Sequence, residues 1–371
     1  MRTNLVEGAA EAAFDVVDHL RARLLSAALG VPSLQAIVTR RHRRLAVQSL
    51  LSVVVLAAAT LLAPGILLVL GPIVLGVAHV TGDVRHLVSR RDVPRAWAVL
   101  VAIACTTLLG LRIAELAGPT WLPYARFEVL AGWGWVAAGV VLGACCGPSF
   151  SRALLMALPL ALLAAASAVS PTVARAILGY AHNLVALVVW LVLFRQQRTA
   201  VLASIVTALA IAVLLASGSL VPWTHWDGLW AGRVIDEWLG LAGRHITQQT
   251  AIGIGLSYVF LQAVHYAVWV SWIPQDDTCG HGTLTFRMTA RALYRDLGRS
   301  GVALAVIAAT VMVVASFARV HPTRAVYMSL AAFHGWLELA ALAFFVARGS
   351  VGRASGNGSS GIGRASTSVR I

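Results

Sequence analysis

Residues 65–88 read GILLVLGPIVLGVAHVTGDVRHLV. The first fourteen are apolar residues, glycine and one proline. His79, Asp83, Arg85 and His86 then follow among valine, glycine and leucine. A run of about 20 predominantly apolar residues is the length a helix needs to cross a hydrocarbon layer of roughly 30 Å. A helix suits that task because it satisfies its own backbone polar groups where no water is present. Comparable runs occur at 46–63, 96–116, 127–146, 152–169, 172–194, 199–217, 250–273, 301–318 and 323–347. With 65–88 they predict ten spans.

Composition agrees with that reading. Of the 371 residues 59% are hydrophobic and 12% are charged, about half the roughly 25% usual in a soluble domain. The mean hydropathy is +0.80. These values exclude a soluble enzyme, a disordered chain and a secreted disulfide scaffold. They predict an all-α, polytopic integral membrane helix bundle of about ten transmembrane helices. The four cysteines, Cys105, Cys145, Cys146 and Cys279, form no CxxC pair, so neither a disulfide framework nor a cysteine-rich zinc site is indicated.

The formal net charge is +14, and every residue of the Lys+Arg class is arginine. The arginines cluster between apolar runs. Arg40, Arg41, Arg43 and Arg44 precede the first span, and Arg85, Arg90, Arg91 and Arg95 surround the loop after the second. Arg152 follows the fourth span, and Arg195 and Arg198 follow the sixth. Arg287, Arg291, Arg295 and Arg299 fill the eighth loop, and Arg348, Arg353, Arg364 and Arg370 lie in the tail. The intervening loops carry few basic residues. This alternation predicts an even span count with both termini cytoplasmic. It identifies the basic residues as topology signals, with no nucleic-acid partner; no protein partner can be read from it. The expected location is the bacterial inner membrane, multi-pass.

Residues 1–45 read as a cytoplasmic segment and not as a signal peptide, because Glu7, Glu11, Asp15 and Asp18 interrupt any apolar core. Within it, 10–38 form an amphipathic surface helix with Phe14, Val17, Leu20, Leu24 and Leu25 on one side. The transmembrane domain is 46–348. It includes an outer-face loop, 218–249, holding Trp223, Trp226, Trp230 and Trp238. It also includes a basic cytoplasmic loop, 274–299, whose arginine stripe is expected to face lipid headgroups. Residues 349–371, rich in Gly, Ser and Arg, read as a disordered tail.

Ionisable residues inside spans are costly and by default mark function. His79, Asp83 and His86 sit at i, i+4 and i+7, on one helix face. The sixth span has His182, the eighth His265-Tyr266, and the tenth His334 with Glu338 one turn on. All four spans are even-numbered and run the same way. At about 1.5 Å per residue, His79 and His265 lie roughly 12–14 Å from the cytoplasmic ends, and His182 and His334 roughly 19–20 Å. Four helices that bring an imidazole to one slab can surround a metal. Neutral imidazole suits iron, copper or zinc. Asp83 and Glu338 are expected to fix the tautomer of ligand histidines or to bind the metal themselves, Tyr266 to donate a hydrogen bond, and His86 is a possible additional ligand. Three other readings stand beside this one: a haem-binding electron carrier, a proton-coupled transporter with Asp83, His86, His265 and Glu338 as relay, and a membrane assembly or scaffold subunit.

The order of these residues resembles the Brp/Blh family of integral-membrane β-carotene 15,15′-dioxygenases. Gly76-Val-Ala-His79-Val-Thr-Gly-Asp83 matches that family's Gly-x-x-His-x-x-x-Asp motif. His182 takes the place of its middle histidine, and Phe260-Leu-Gln-Ala-Val-His265 is similar to its aromatic-rich histidine segment. His334, Glu338 and Arg348 follow the order of its last helix. Where the family has a second histidine four residues after the third motif's, this chain has Trp269. The resemblance implies Fe(II) as cofactor and dioxygen-using cleavage of a carotenoid or other isoprenoid substrate drawn from membrane lipid. It also implies His79, His182, His265 and His334 as ligands.

Overall fold

The structure, a computed structural model, describes residues 3–89, 93–119, 121–147, 150–194, 197–224, 247–277 and 285–349. Every regular element among them is helical. The helices are α1 (Thr3–Leu29), α2 (Pro32–Thr39), α3 (Arg41–Leu62), α4 (Pro64–Val84), α5 (Arg95–Ala117) and α6 (Tyr124–Cys146). They continue as α7 (Phe150–Val169), α8 (Pro171–Leu193), α9 (Arg198–Ala216), α10 (Gln248–Ala267), α11 (Phe286–Leu330) and α12 (Phe333–Arg348). Seven helical stretches are long and apolar enough to cross a membrane, and Ala153–Val169 and Val201–Ala216 are shorter apolar helices. The described residues are therefore all-helical, and the chain has the composition of a multi-pass membrane protein.

Several boundaries differ from the sequence reading. The first long apolar helix begins at Arg41, inside the segment expected to end at residue 45. The amphipathic segment is two helices, broken at Gly30–Val31. Val17, Leu20 and Leu24 of α1 are exposed, while Phe14 and Leu25 are half-buried. Most of the tryptophan-rich loop (225–246), part of the basic loop (278–284) and the tail beyond 349 lie outside the described residues. Two arginines of the stripe make ion pairs: Arg287 with Asp15 of α1, and the exposed Arg295 with its neighbour Asp296. Asp18 of α1 also accepts from the backbone N–H groups of Phe286 and Arg287.

α11 is not straight. Gly298 (φ 72°, ψ 171°) and Arg319 (φ −152°, ψ 81°) interrupt it, so residues 299–318 form a rod of their own. That rod is peripheral and its apolar side chains, Val306, Ile307, Val314 and Phe317 among them, are exposed. α10 is the opposite case. Within its apolar window 78% is buried, against 33% or less for the other candidate spans. It is the axis of the bundle, in contact with α3, α4, α8 and α9.

Two further features position the site. α4 and α10 each end in a π-helical turn, Arg85–Ser89 and Val268–Trp272, a distortion frequent at functional sites. Pro72 has no N–H and cannot bond the Leu68 carbonyl one turn back. Arg324 Nε donates to that carbonyl instead, at 2.8 Å.

α12 reaches the centre because α6 presents glycine to it. A Cβ at Gly132 would lie 2.3 Å from the Trp336 ring. One at Gly139 would lie 3.0 Å from the Ala340 carbonyl oxygen, and one at Gly143 would lie 2.4 Å from that of Phe344. These glycines share one face of α6, the small-residue solution to helix approach where hydrocarbon gives no hydrophobic drive. Gly134, on the other face, has nothing within 4 Å. Replacing Gly143 by alanine is expected to destabilise the protein by about 1–3 kcal/mol through overpacking. The same change at Gly134 is expected to be neutral or stabilising by up to about 1 kcal/mol. Thermal unfolding of the two variants in detergent separates these outcomes.

Candidate metal centre

Four helices supply one histidine each: His79 from α4, His182 from α8, His265 from α10 and His334 from α12. The helices touch in a ring, α4 to α10, α10 to α8, α8 to α12 and α12 to α4. Tyr180 of α8 and Ser257 of α10 share a hydroxyl hydrogen bond of 2.6 Å that fastens one side of it. The imidazoles repeat the ring in miniature. Their centroids are 5.2 Å apart for His79–His265, 5.0 Å for His265–His182, 4.9 Å for His182–His334 and 4.8 Å for His334–His79. Across it, His265 and His334 are 6.0 Å apart.

These spacings fit a metal. Imidazoles bound to one ion through bonds of about 2.1 Å have centroids roughly 4.6–6.5 Å apart, according to the arrangement. The tightest group is His79, His265 and His334, whose ligand atoms all lie within 4.8 Å of one another. Nitrogens on one ion stand about 3.4 Å apart, a contraction within reach of side-chain torsions. His182 packs against two members of this triad and completes the square.

Hydrogen bonding leaves the correct atoms free. A backbone carbonyl only accepts, so His182 Nδ1 carries the proton it donates to Leu178 O at 3.1 Å. His334 Nδ1 likewise donates to Ala331 O, at the break between α11 and α12. Each Nε2 then bears a lone pair. Nε2 of His334, Nε2 of His79 and both nitrogens of His265 are buried without a hydrogen bond. Such orphaned groups are rare in native interiors and call for a missing partner, an ion among the usual ones.

The two acids differ. Glu338 stands beside a candidate ligand histidine, His265, rather than its helix neighbour His334. Its Oε1 stands 3.4 Å from His265 Nε2 and accepts from Trp269 Nε1 at 2.8 Å. Asp83 orients no histidine, since neither carboxylate oxygen has a hydrogen-bond partner. Asp83 and Glu338 are both fully buried, and Asp83 lies in electrostatic range of Glu338, Tyr266 and Tyr327. An ionised carboxylate without a partner is expensive in a low-dielectric interior, and a cation in the adjacent histidine square would offset that cost for Asp83. Tyr266 meets His79 through its ring, centroid to centroid 4.6 Å. His86 is not in the cluster; it is buried toward the α4–α11 side, its ring 6.4 Å from Trp269.

Two contributors escaped the sequence reading. Trp269, noted in the sequence only as standing where the similar family has a histidine, donates its indole N–H to Glu338. Tyr327 packs its ring on Gly76, where a Cβ would come within 2.3 Å of it. Only the glycine of the Gly76–His79 motif hinted at such an approach.

Comparison with known proteins adds nothing to this geometry: no protein-family model, no curated protein and no solved structure matches the chain.

Two outcomes follow for detergent-purified protein assayed by elemental analysis. His265→Ala loses its bound metal, while His86→Ala keeps it. Trp269→Phe, which removes the donor that holds Glu338, weakens metal binding by about 10- to 100-fold, read by competition with a chromophoric chelator.

Proposed function

We propose that the chain is a non-haem iron oxygenase of the bacterial cytoplasmic membrane, with ten crossings and both termini cytoplasmic, acting on a lipophilic carotenoid or isoprenoid substrate. The observation that carries this reading is the triad of His79, His265 and His334. Its buried, unbonded nitrogens sit in one place within an apolar bundle.

Support for the ten crossings comes from the arginine alternation. The breaks of α11 at Gly298 and Arg319 fall on either side of residues 301–318 and before 323–347. His79, His265 and His334 would hold the ion with His182 as the fourth ligand. Glu338 would steady His265, and Asp83 would contribute negative charge. Iron bound by imidazoles with an open position supplies dioxygen chemistry. For a polyene, that chemistry is cleavage of one C=C bond with an oxygen atom entering each carbonyl product.

A lipophilic substrate is favoured by the surroundings. An apolar groove of about 290 Å³ lies between α4 and α11, with Val77, Ala78, Val302 and Ala305 on its walls. Gly82, His86 and Trp269 form its inner side. Trp269 links that groove to Glu338 and through it to His265. The choice of carotenoid or isoprenoid rests on the motif resemblance. Haem fits poorly, because imidazoles packed 4.8–6.0 Å apart leave no slot for a macrocycle between two axial ligands.

Metal analysis with an optical spectrum tests the reading. Near-stoichiometric iron without a Soret band is expected, and membranes of a carotenoid-producing host should bleach with the wild type but not with His265→Ala. A Soret band would transfer the assignment to haem. A metal-free wild type would leave transport or scaffolding.

A further inference from the structure

A second cavity, of about 600 Å³, lies on the other side of the histidine square. It opens where the C-terminal end of α5 and the N-terminal ends of α6 and α8 meet. Arg112, Glu128, Thr172 and Arg175 line its mouth, and His182 and His334 line its inner end. The face of α8 that runs along it carries Thr172, Arg175, Ala176, Gly179 and His182. These positions recur at helical spacing. Ten residues at about 1.5 Å each place the mouth roughly 15 Å from the histidine.

Three observations separate this cavity from ordinary packing space. First, the exposure of the histidines is one-sided. His182 and His334 keep 7% each, while His79 keeps 1% and His265 none. The centre is therefore approached from here. Second, a Cβ added to Gly179 would meet nothing within 4 Å, so the wall is open midway along the path. Third, the mouth is charged yet neutral in sum. Arg175 bonds Glu115 at 2.7 Å and Glu128 at 2.6 Å. Arg112 bonds the same two acids at 2.9 and 3.0 Å. Each guanidinium already serves two carboxylates, so the quartet offers no seat for an anion. Glu115, 30% exposed, is its outermost group.

A lipophilic molecule partitions from the bilayer, and dioxygen dissolves in hydrocarbon, so neither needs a polar route. A hydrated cation does, since its transfer through apolar surroundings is prohibitive. We infer that this cavity is the aqueous entrance through which a hydrated divalent metal ion reaches the histidine centre from the α5–α6 face, with the Arg112–Glu115–Glu128–Arg175 quartet as a charge-balanced mouth. The cargo rests on the metal reading above; the water-filled path does not.

The test uses the full-length protein with Cys105, Cys145, Cys146 and Cys279 changed to serine. Thr172→Cys and Gly179→Cys are introduced singly, and membranes are treated with a charged methanethiosulfonate reagent. Both sites are expected to react, Thr172→Cys the faster. Chelator-stripped protein is then reloaded with Co(II), whose absorption reports ligation. Uptake should be at least about tenfold slower in Gly179→Trp, and in Gly179→Cys after modification of the folded protein, with the final stoichiometry unchanged. Gly134→Trp, which also faces open space, should load like the wild type. An unreactive Gly179→Cys overturns the aqueous path. Unchanged loading after modification overturns its role as the ion's entrance. A wild type that takes up no Co(II) overturns the cargo and the proposed function together, while the labelling result still decides whether the path holds water.

Discussion

A nitrogen lone pair buried among apolar helices has no water to turn to, and this chain buries several at one point. The cost of unsatisfied polar groups in such surroundings is several kcal/mol each. That constraint organises the rest of the structure. It demands that four helices meet closely enough for their imidazoles to share a partner. Some of the neighbouring donors are tied off: His182 to Leu178 and His334 to Ala331 through Nδ1, and Trp269 to Glu338; both ring nitrogens of His79 and of His265 are not. The seam of Gly132, Gly139 and Gly143 serves the same end, because without it α12 would stand off and carry His334 and Glu338 away from the square.

Interruptions in the helices belong to this logic. A straight α10 would continue the hydrogen-bond ladder past His265. The π turn at Val268–Trp272 instead resets the rotation of the residues that follow it. Trp269 then reaches Glu338 on a different helix. The break at Ala331–Ala332 exposes the carbonyl that fixes His334. At Pro72 the lost backbone bond is replaced by an arginine from another segment. In each case a local defect in regular structure is offset by a specific contact next to the centre, as expected where backbone distortions serve a site.

The class of fold was legible because hydrophobic run length is a local signal, and the helices α3 to α10 begin and end within a few residues of the predicted spans. The convergence of His79, His182, His265 and His334 was legible only as matched depth. Depth fixes the coordinate along the membrane normal and says nothing of rotation about each helix axis. His86, on the same face as His79 in an ideal helix, was a possible additional ligand; it lies seven residues, about 10 Å, further along the axis, within the π turn that begins at Arg85. Rotation is what decides which histidine Glu338 meets, and that is His265 across the bundle rather than His334 on its own helix. The glycine seam carried a signal in its spacing. The role of Trp269 carried none, since an indole that donates a buried hydrogen bond looks, in sequence, like one that packs.

The two cavities give the centre two unlike neighbours. On one side lies an apolar groove between α4 and the peripheral rod of α11, and on the other a cavity with Arg112, Glu128 and Arg175 at its mouth and apolar residues such as Leu178 and Met328 along its walls. Trp269 lines the groove and also holds Glu338. The second cavity ends on His182 and His334. A site that served only to glue helices would need neither opening. It would also leave fewer nitrogens unbonded, because glue works through completed hydrogen bonds. The proposed ion answers that objection. It would complete the coordination of the free nitrogens, and it would place a positive charge beside two buried acids.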